Sequence, residues 1–182
     1  MSPKDTYTAW AGLMDGYYLL GNYDSAMLYS DKILSESGSS SLLQHRASLM
    51  TGRIYQAQGD FEKAKDGYIM TINEAQDEFG AQAKYHLAEI HFQQKNYKQC
   101  YETVLSLNRD YAPHAEWVGR GFLLLAESFV ATGEIFQAKA TLQSLEKFPL
   151  AFIREEAFRR LEKITAEELK VRTEPGDSTD HD

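Results

Sequence analysis

Apolar residues recur along this chain at helical spacing, without the strict alternation of a half-buried strand. Trp10, Leu13, Met14, Tyr17 and Leu20 share one side of a first predicted helix. Gly21-Asn22 stops it, and Tyr23, Ala26, Met27, Ser30, Ile33 and Leu34 restart the pattern. The same arrangement then returns three times. Thr51, Gly52 and Tyr55 lead to a stop at Gly59-Asp60, followed by Phe61, Ala64, Tyr68 and Ile72. Leu87, Ala88 and His91 lead to Lys95-Asn96, then Tyr97, Cys100, Val104 and Leu107. Leu125, Ala126 and Phe129 lead to Gly133-Glu134, then Ile135, Ala138, Leu142 and Leu145. The four prolines, Pro3, Pro113, Pro149 and Pro175, leave more than a hundred consecutive residues free of one, as an all-helical fold needs.

The stops at 21, 59, 95 and 133 lie 38, 36 and 38 residues apart, a period that marks a helical repeat array. Residue size repeats in phase with them. Gly52, Ala88 and Ala126 are small where two helices of a pair must come close, and Ala26, Ala64, Cys100 and Ala138 are their small counterparts on the second helix. Tyr17, Tyr55, His91 and Phe129 are large and are expected to fill the gap toward the next unit. Each pair buries only part of its apolar surface, and stacking buries the rest.

These residues resemble the tetratricopeptide repeat (TPR). Trp10-x-x-Leu13-Met14-x-x-Tyr17-x-x-x-Gly21-Asn22-Tyr23-x-x-Ala26 is the fullest match, and Gly52-x-x-Tyr55-x-x-x-Gly59-Asp60-Phe61-x-x-Ala64 follows it closely. The third unit departs at Lys95 and Cys100, the fourth at Ile135, and only the fourth closes with a proline, Pro149. Spacings beyond the family's usual period place extra length at 35–41, 73–81 and 108–116. The resemblance implies an all-α, right-handed α-α superhelix of about four helix-turn-helix repeats, near 3–34, 43–76, 80–109 and 113–148. It makes residues 1–170 one repeat domain. Three segments, Gly80-Ala-Gln-Ala-Lys-Tyr85, Trp117-x-x-x-Gly121-Phe-Leu-Leu-Leu-Ala126 and Phe136-Gln-Ala-Lys-Ala-Thr-Leu-Gln143, also resemble the C-terminal stretch of long bacterial cell-envelope TPR proteins.

Residues 150–170 carry one more amphipathic pattern, with Phe152, Ile153, Ala157, Phe158, Leu161 and Ile164 on its apolar stripe. It reads as a capping helix, with the first helix of a further repeat or a homodimer contact as the alternatives. From Val171 to Asp182 one arginine stands against four carboxylates, with Pro, Gly and no apolar residue after Val171; this acidic tail is expected to be disordered. At the other end Ser2-Pro3-Lys4-Asp5 reads as a helix start with Ser2 as its cap, not as a signal peptide. That suits a cytoplasmic protein, or a piece of a longer exported one that works in the periplasm or cell envelope.

Composition narrows the function. Of 182 residues 43% are hydrophobic and 25% charged, and the net charge of −8 argues against a phosphate-backbone binder. The longest apolar run, Phe122 to Ala126, is far too short for membrane insertion. Cys100 alone permits neither an internal disulfide nor a multi-cysteine zinc site. His86 and His91 are five apart, off the four-residue spacing of a helical zinc pair; His91 takes a core position and His86 is expected to be exposed. The neighbouring pairs Glu155-Glu156 and Glu167-Glu168 diverge around a helix and read as solvated surface. No nucleophile elbow or phosphate-binding glycine motif occurs. The expectation is a protein with no enzymatic activity, no cofactor and no metal.

In the family the first helix of each pair lines the concave groove. Carried over, that implies partner-binding positions at Asp15 and Tyr18 in the first unit, Arg46, Leu49, Arg53 and Gln56 in the second, Tyr85, Glu89 and Phe92 in the third, and Arg120, Leu123 and Glu127 in the fourth. Thr8, Leu19, Gln82, Gln93 and Val130 extend the same lining. Arg46 and Arg53 are two turns apart on one face, with aromatic anchors beside them, so an acidic stretch of an extended or helical partner segment is expected there. Ala11, Gly12 and Asp15 stand where the family's best-known groove clamps a terminal carboxylate with Lys and Asn, and Asp15 would repel one. The function expected is a protein-binding scaffold in a larger bacterial assembly; the alternative is a structural spacer or homo-oligomerisation domain without a peptide ligand.

Overall fold

A computed structural model describes residues 3–173. The described elements are all helices: α1 (Pro3–Leu19), α2 (Tyr23–Ser35), α3 (Ser41–Ala57), α4 (Phe61–Glu74), α5 (Glu78–Gln93), α6 (Tyr97–Asp110), α7 (Ala115–Ala131), α8 (Ile135–Ser144) and α9 (Ala151–Thr173). They pair as the periodicity predicts, and the longer connections fall at 36–40, 75–77 and 111–114, inside the three expected stretches. The last helix runs three residues past the expected boundary at 170. Ser2 and residues 174–182 of the predicted tail lie outside the described residues. The chain divides into two compact units, Met1–Val118 and Gly119–Asp182.

Each hairpin turns by the same device. Gly21, Gly59 and Gly133 adopt φ of 73°, 80° and 79°, the left-handed conformation that a side chain disfavours. The next residue's N–H then reaches back five residues: Asn22 to the Tyr17 carbonyl, Asp60 to Tyr55, Asn96 to His91 and Glu134 to Phe129, at 2.8–2.9 Å. That residue also opens the following helix. Asn22 accepts from the Ser25 N–H at 3.1 Å, and Asp60 from the Lys63 N–H at 3.2 Å. In the third turn Lys95 takes the left-handed position with φ 60°, so the turn survives the loss of its glycine.

In the first unit the core runs from α1 to α5 through two clusters, one around Met14, Ile33, Met50 and Ile54, the other around Leu49, Tyr68, Ala83 and Ile90. The small in-phase residues do what their size implies. Ala26, Ala64 and Cys100 are fully buried. A Cβ on Gly52 would come within 2.6 Å of the Tyr68 ring, and one on Gly67 within 3.0 Å of the Gly52 backbone, so α3 and α4 cross glycine on glycine. Ser30 on α2 donates to the Ala47 carbonyl of α3 at 2.8 Å, and Ser48 pairs with Thr71 at 2.9 Å. The buried Tyr111 donates its hydroxyl to the Ala75 carbonyl at 2.8 Å, tying the end of α6 to the end of α4.

Tyr17 stacks on Tyr29 of its own hairpin, with ring centroids 5.8 Å apart, and packs against the cluster to which Ala47, Met50 and Ile54 of α3 belong.

In the second unit α7, α8 and α9 share one core around Leu123, Leu142, Leu145 and Ile153. A Cβ on Gly119 would meet Phe148 at 2.7 Å and Ile153 at 2.9 Å, which lets the start of α9 lie close to α7. Residues 165–170 of α9 are exposed on every side.

Two stability predictions follow from this packing. Gly52→Val drives a branched side chain into the Tyr68 ring and should cost about 1–3 kcal/mol by chemical denaturation. Gly16→Ala, where a Cβ meets nothing within 4 Å, should instead gain about 0.5–1 kcal/mol. His91 gives a pH dependence. Burial, with Lys65 adding to it, holds its imidazole below the ordinary histidine value, and its Nδ1 has no partner among the described residues. As pH falls through the ordinary value, the unfolded chain takes up this proton before the fold does, so stability drops. His91→Phe should flatten the fall in urea midpoint between about pH 7.5 and 5.5, and a slope equal to the parent's would refute it.

Candidate partner-binding groove

The first helices of the three hairpins in the first unit, α1, α3 and α5, contact one another in that order. Side chains from all three line two neighbouring recesses. One, about 240 Å³, is bounded by Asp15, Tyr18, Arg46, Arg53 and Gln82. The other, about 360 Å³, is bounded by Tyr18, Arg53, Gln56, His86, Glu89 and Gln93. Tyr18 and Arg53 belong to both and form the ridge between them. The Arg53 guanidinium lies 4.4 Å from the Tyr18 ring centroid, and among the described residues no carboxylate pairs with it. Stacking on the ring restrains the long side chain while leaving its N–H edge open.

The second recess has a tightly connected wall. The His86 Nδ1 lies 2.6 Å from Glu89 Oε2, and the Tyr85 hydroxyl donates to Glu89 Oε1 at 2.8 Å. His86 stacks on Tyr68, centroids 5.5 Å apart and planes 20° off parallel, with Tyr85 and Trp117 also around its ring. Burial pushes the Tyr68 hydroxyl far above its ordinary pKa, so it stays protonated and donates to Gln56 Oε1. Gln56 therefore has its amide N–H groups left for the recess.

Several expected positions stand differently. Asp15 and Arg46 form an ion pair with each other, so Asp15 does not repel a carboxylate alone and Arg46 is not an open cation. Leu49 is only 2% exposed, part of the core between α3, α4 and α5, and contributes just to the floor of the first recess. Phe92 packs edge-on against Tyr97, 5.8 Å away, buttressing its own hairpin turn. Tyr85 is half-buried and acts through Glu89.

In the second unit Leu123 is buried in the core, because α9 packs across this part of α7. Arg160 donates to the Leu123 carbonyl at 3.1 Å and lies 3.4 Å from Glu127, while Arg120 sits over the Phe152 ring at 5.5 Å. These three positions are engaged within the chain. His86, expected to be exposed, is instead half-buried in the recess wall; its spacing to Gln82 and Glu89, four and three residues, was the signal for it. Among the described residues no cluster of His, Cys, Asp or Glu could hold a metal ion, and no helix is long and apolar enough to cross a membrane.

The tetratricopeptide-repeat family profile matches residues 46–77, the α3–α4 hairpin, and 121–151, the α7–α8 hairpin. The chain carries tetratricopeptide repeats. A solved structure from a functional characterization of Pseudomonas aeruginosa pilF is similar over 91% of this chain and 70% of that one, with a TM-score of 0.70 and 18% identity. That likeness carries the fold, an all-α TPR solenoid. A comparison with curated proteins gives no significant match. TPR arrays are in general protein-interaction modules and scaffolds without catalysis.

Proposed function

We propose that this chain binds a partner protein through the face formed by α1, α3 and α5, and that an acidic side chain of the partner segment pairs with Arg53. The observation that carries this reading is the Arg53–Tyr18 ridge: a restrained guanidinium without a carboxylate partner among the described residues, set between two recesses. An arginine held flat on a ring presents paired donors to a carboxylate at small entropic cost. Gln56, Gln82 and Gln93 add side chains able to hydrogen-bond a peptide backbone on either side. Glu89, already receiving Tyr85 and bonded to His86, keeps the second recess from being uniformly cationic, which favours a segment that alternates acidic and neutral residues.

Site-specific photo-cross-linking in the source cell tests the proposal. Tyr18 replaced by benzoylphenylalanine should yield a discrete cross-linked partner, whereas the same probe at the exposed Tyr101 on α6 should not. Adding Arg53→Glu should weaken that partner's binding by about tenfold or more, near 1.4 kcal/mol. Equal yields at both positions, or indifference to Arg53→Glu, would favour a structural spacer instead.

A further inference from the structure

The second unit carries another surface, independent of the groove. Phe158 on α9 is 61% exposed although it lies beside the buried Ala157. Next to it a recess of about 280 Å³ opens between the end of α8 and α9, floored by Leu142, Ala157 and Leu161. The exposed Phe158 and the half-buried Leu161, three residues apart, are spaced to meet one face of another helix. The rim is acidic. Glu146 and Glu155 line the recess, and Glu162 stands one turn beyond Phe158; none of the three is in an ion pair among the described residues. The only lining cation, Arg154, is turned to the Phe148 and Pro149 carbonyls at 2.7 and 3.1 Å.

We infer that the α8–α9 recess docks an amphipathic helix of a partner protein, one apolar anchor entering beside Phe158 with lysines or arginines flanking it. Charge favours this occupant over a second copy of the chain and over the chain's own last residues. In a two-fold pairing of α9 with a second copy, antiparallel about its 158–159 midpoint, Glu155 would face the partner's Glu162. A parallel pairing would oppose each glutamate to itself. The chain's own last residues bring Glu174, Asp177, Asp180 and Asp182, of the same sign as the rim. A basic helix turns the three open carboxylates into an attraction along the whole rim.

The test uses the full chain and a fluorescein-labelled Leu/Lys amphipathic helical peptide of about 18 residues, read by fluorescence anisotropy near physiological salt. Its twin with Glu in place of Lys is the comparison. The expected result is saturable binding of the basic peptide alone. Both Phe158→Asp and Glu155→Lys/Glu162→Lys should weaken it by about tenfold, with circular dichroism unchanged. Glu62→Lys/Asp66→Lys on α4, an equal change in net charge, should leave it within about twofold. The inference is overturned by no binding, by equal binding of the acidic twin, or by an equal loss in the α4 variant. It is also overturned if sedimentation shows a dimer that Phe158→Asp dissolves, which would assign the face to a second copy.

Discussion

One residue in a left-handed conformation, followed by one that serves two helices, is the constraint on which this structure is built. The positive φ at 21, 59, 95 and 133 bends the chain back, and the succeeding residue closes the first helix with its N–H. At Asn22 and Asp60 the same residue's side chain starts the second helix. Because the geometry is equivalent in all four turns, the residues just before and after each turn meet their partners at equivalent heights. The small positions on both helices then face each other, and close crossings such as Gly52 against Gly67 become possible. A turn of another kind would rotate one helix and put bulk where glycine now lies.

The repeat architecture was legible because the signals are local. A glycine with an acidic or amide residue after it, and small residues at a fixed offset, can be counted along a single chain. The count even tolerated Lys95, since an αL lysine loses some conformational energy without losing the turn's hydrogen bonds. Helix ends were less visible. Connections such as 111–114 depend on a distant acceptor: the Tyr111 hydroxyl donates to the Ala75 carbonyl, which belongs to another repeat.

The groove was legible as a face and not as a set of free side chains. Helical spacing places Arg46 and Arg53 together, and says nothing about a carboxylate arriving from α1 to occupy one of them. Leu49 and Leu123 sit at the edge of the predicted face, where a rotation of a few tens of degrees separates solvent from core, and neighbouring helices decide the outcome. His86 went the other way: its stacking partners Tyr68 and Trp117 lie far along the chain, so its burial is a property of the fold.

The Tyr111 hydroxyl bridges the Ala75 and Ile72 carbonyls, at 2.8 and 3.3 Å, and Gly80 leaves the space in which it sits. The last turn of one hairpin is thus latched by the residue that caps the next. In a repeat array, where each member otherwise answers only to its neighbour, such a latch makes the second and third hairpins melt as a pair. Amide protons near the end of α4 should therefore exchange at the pace of α6, giving that stretch of the array a rigidity that its individual helices would not possess.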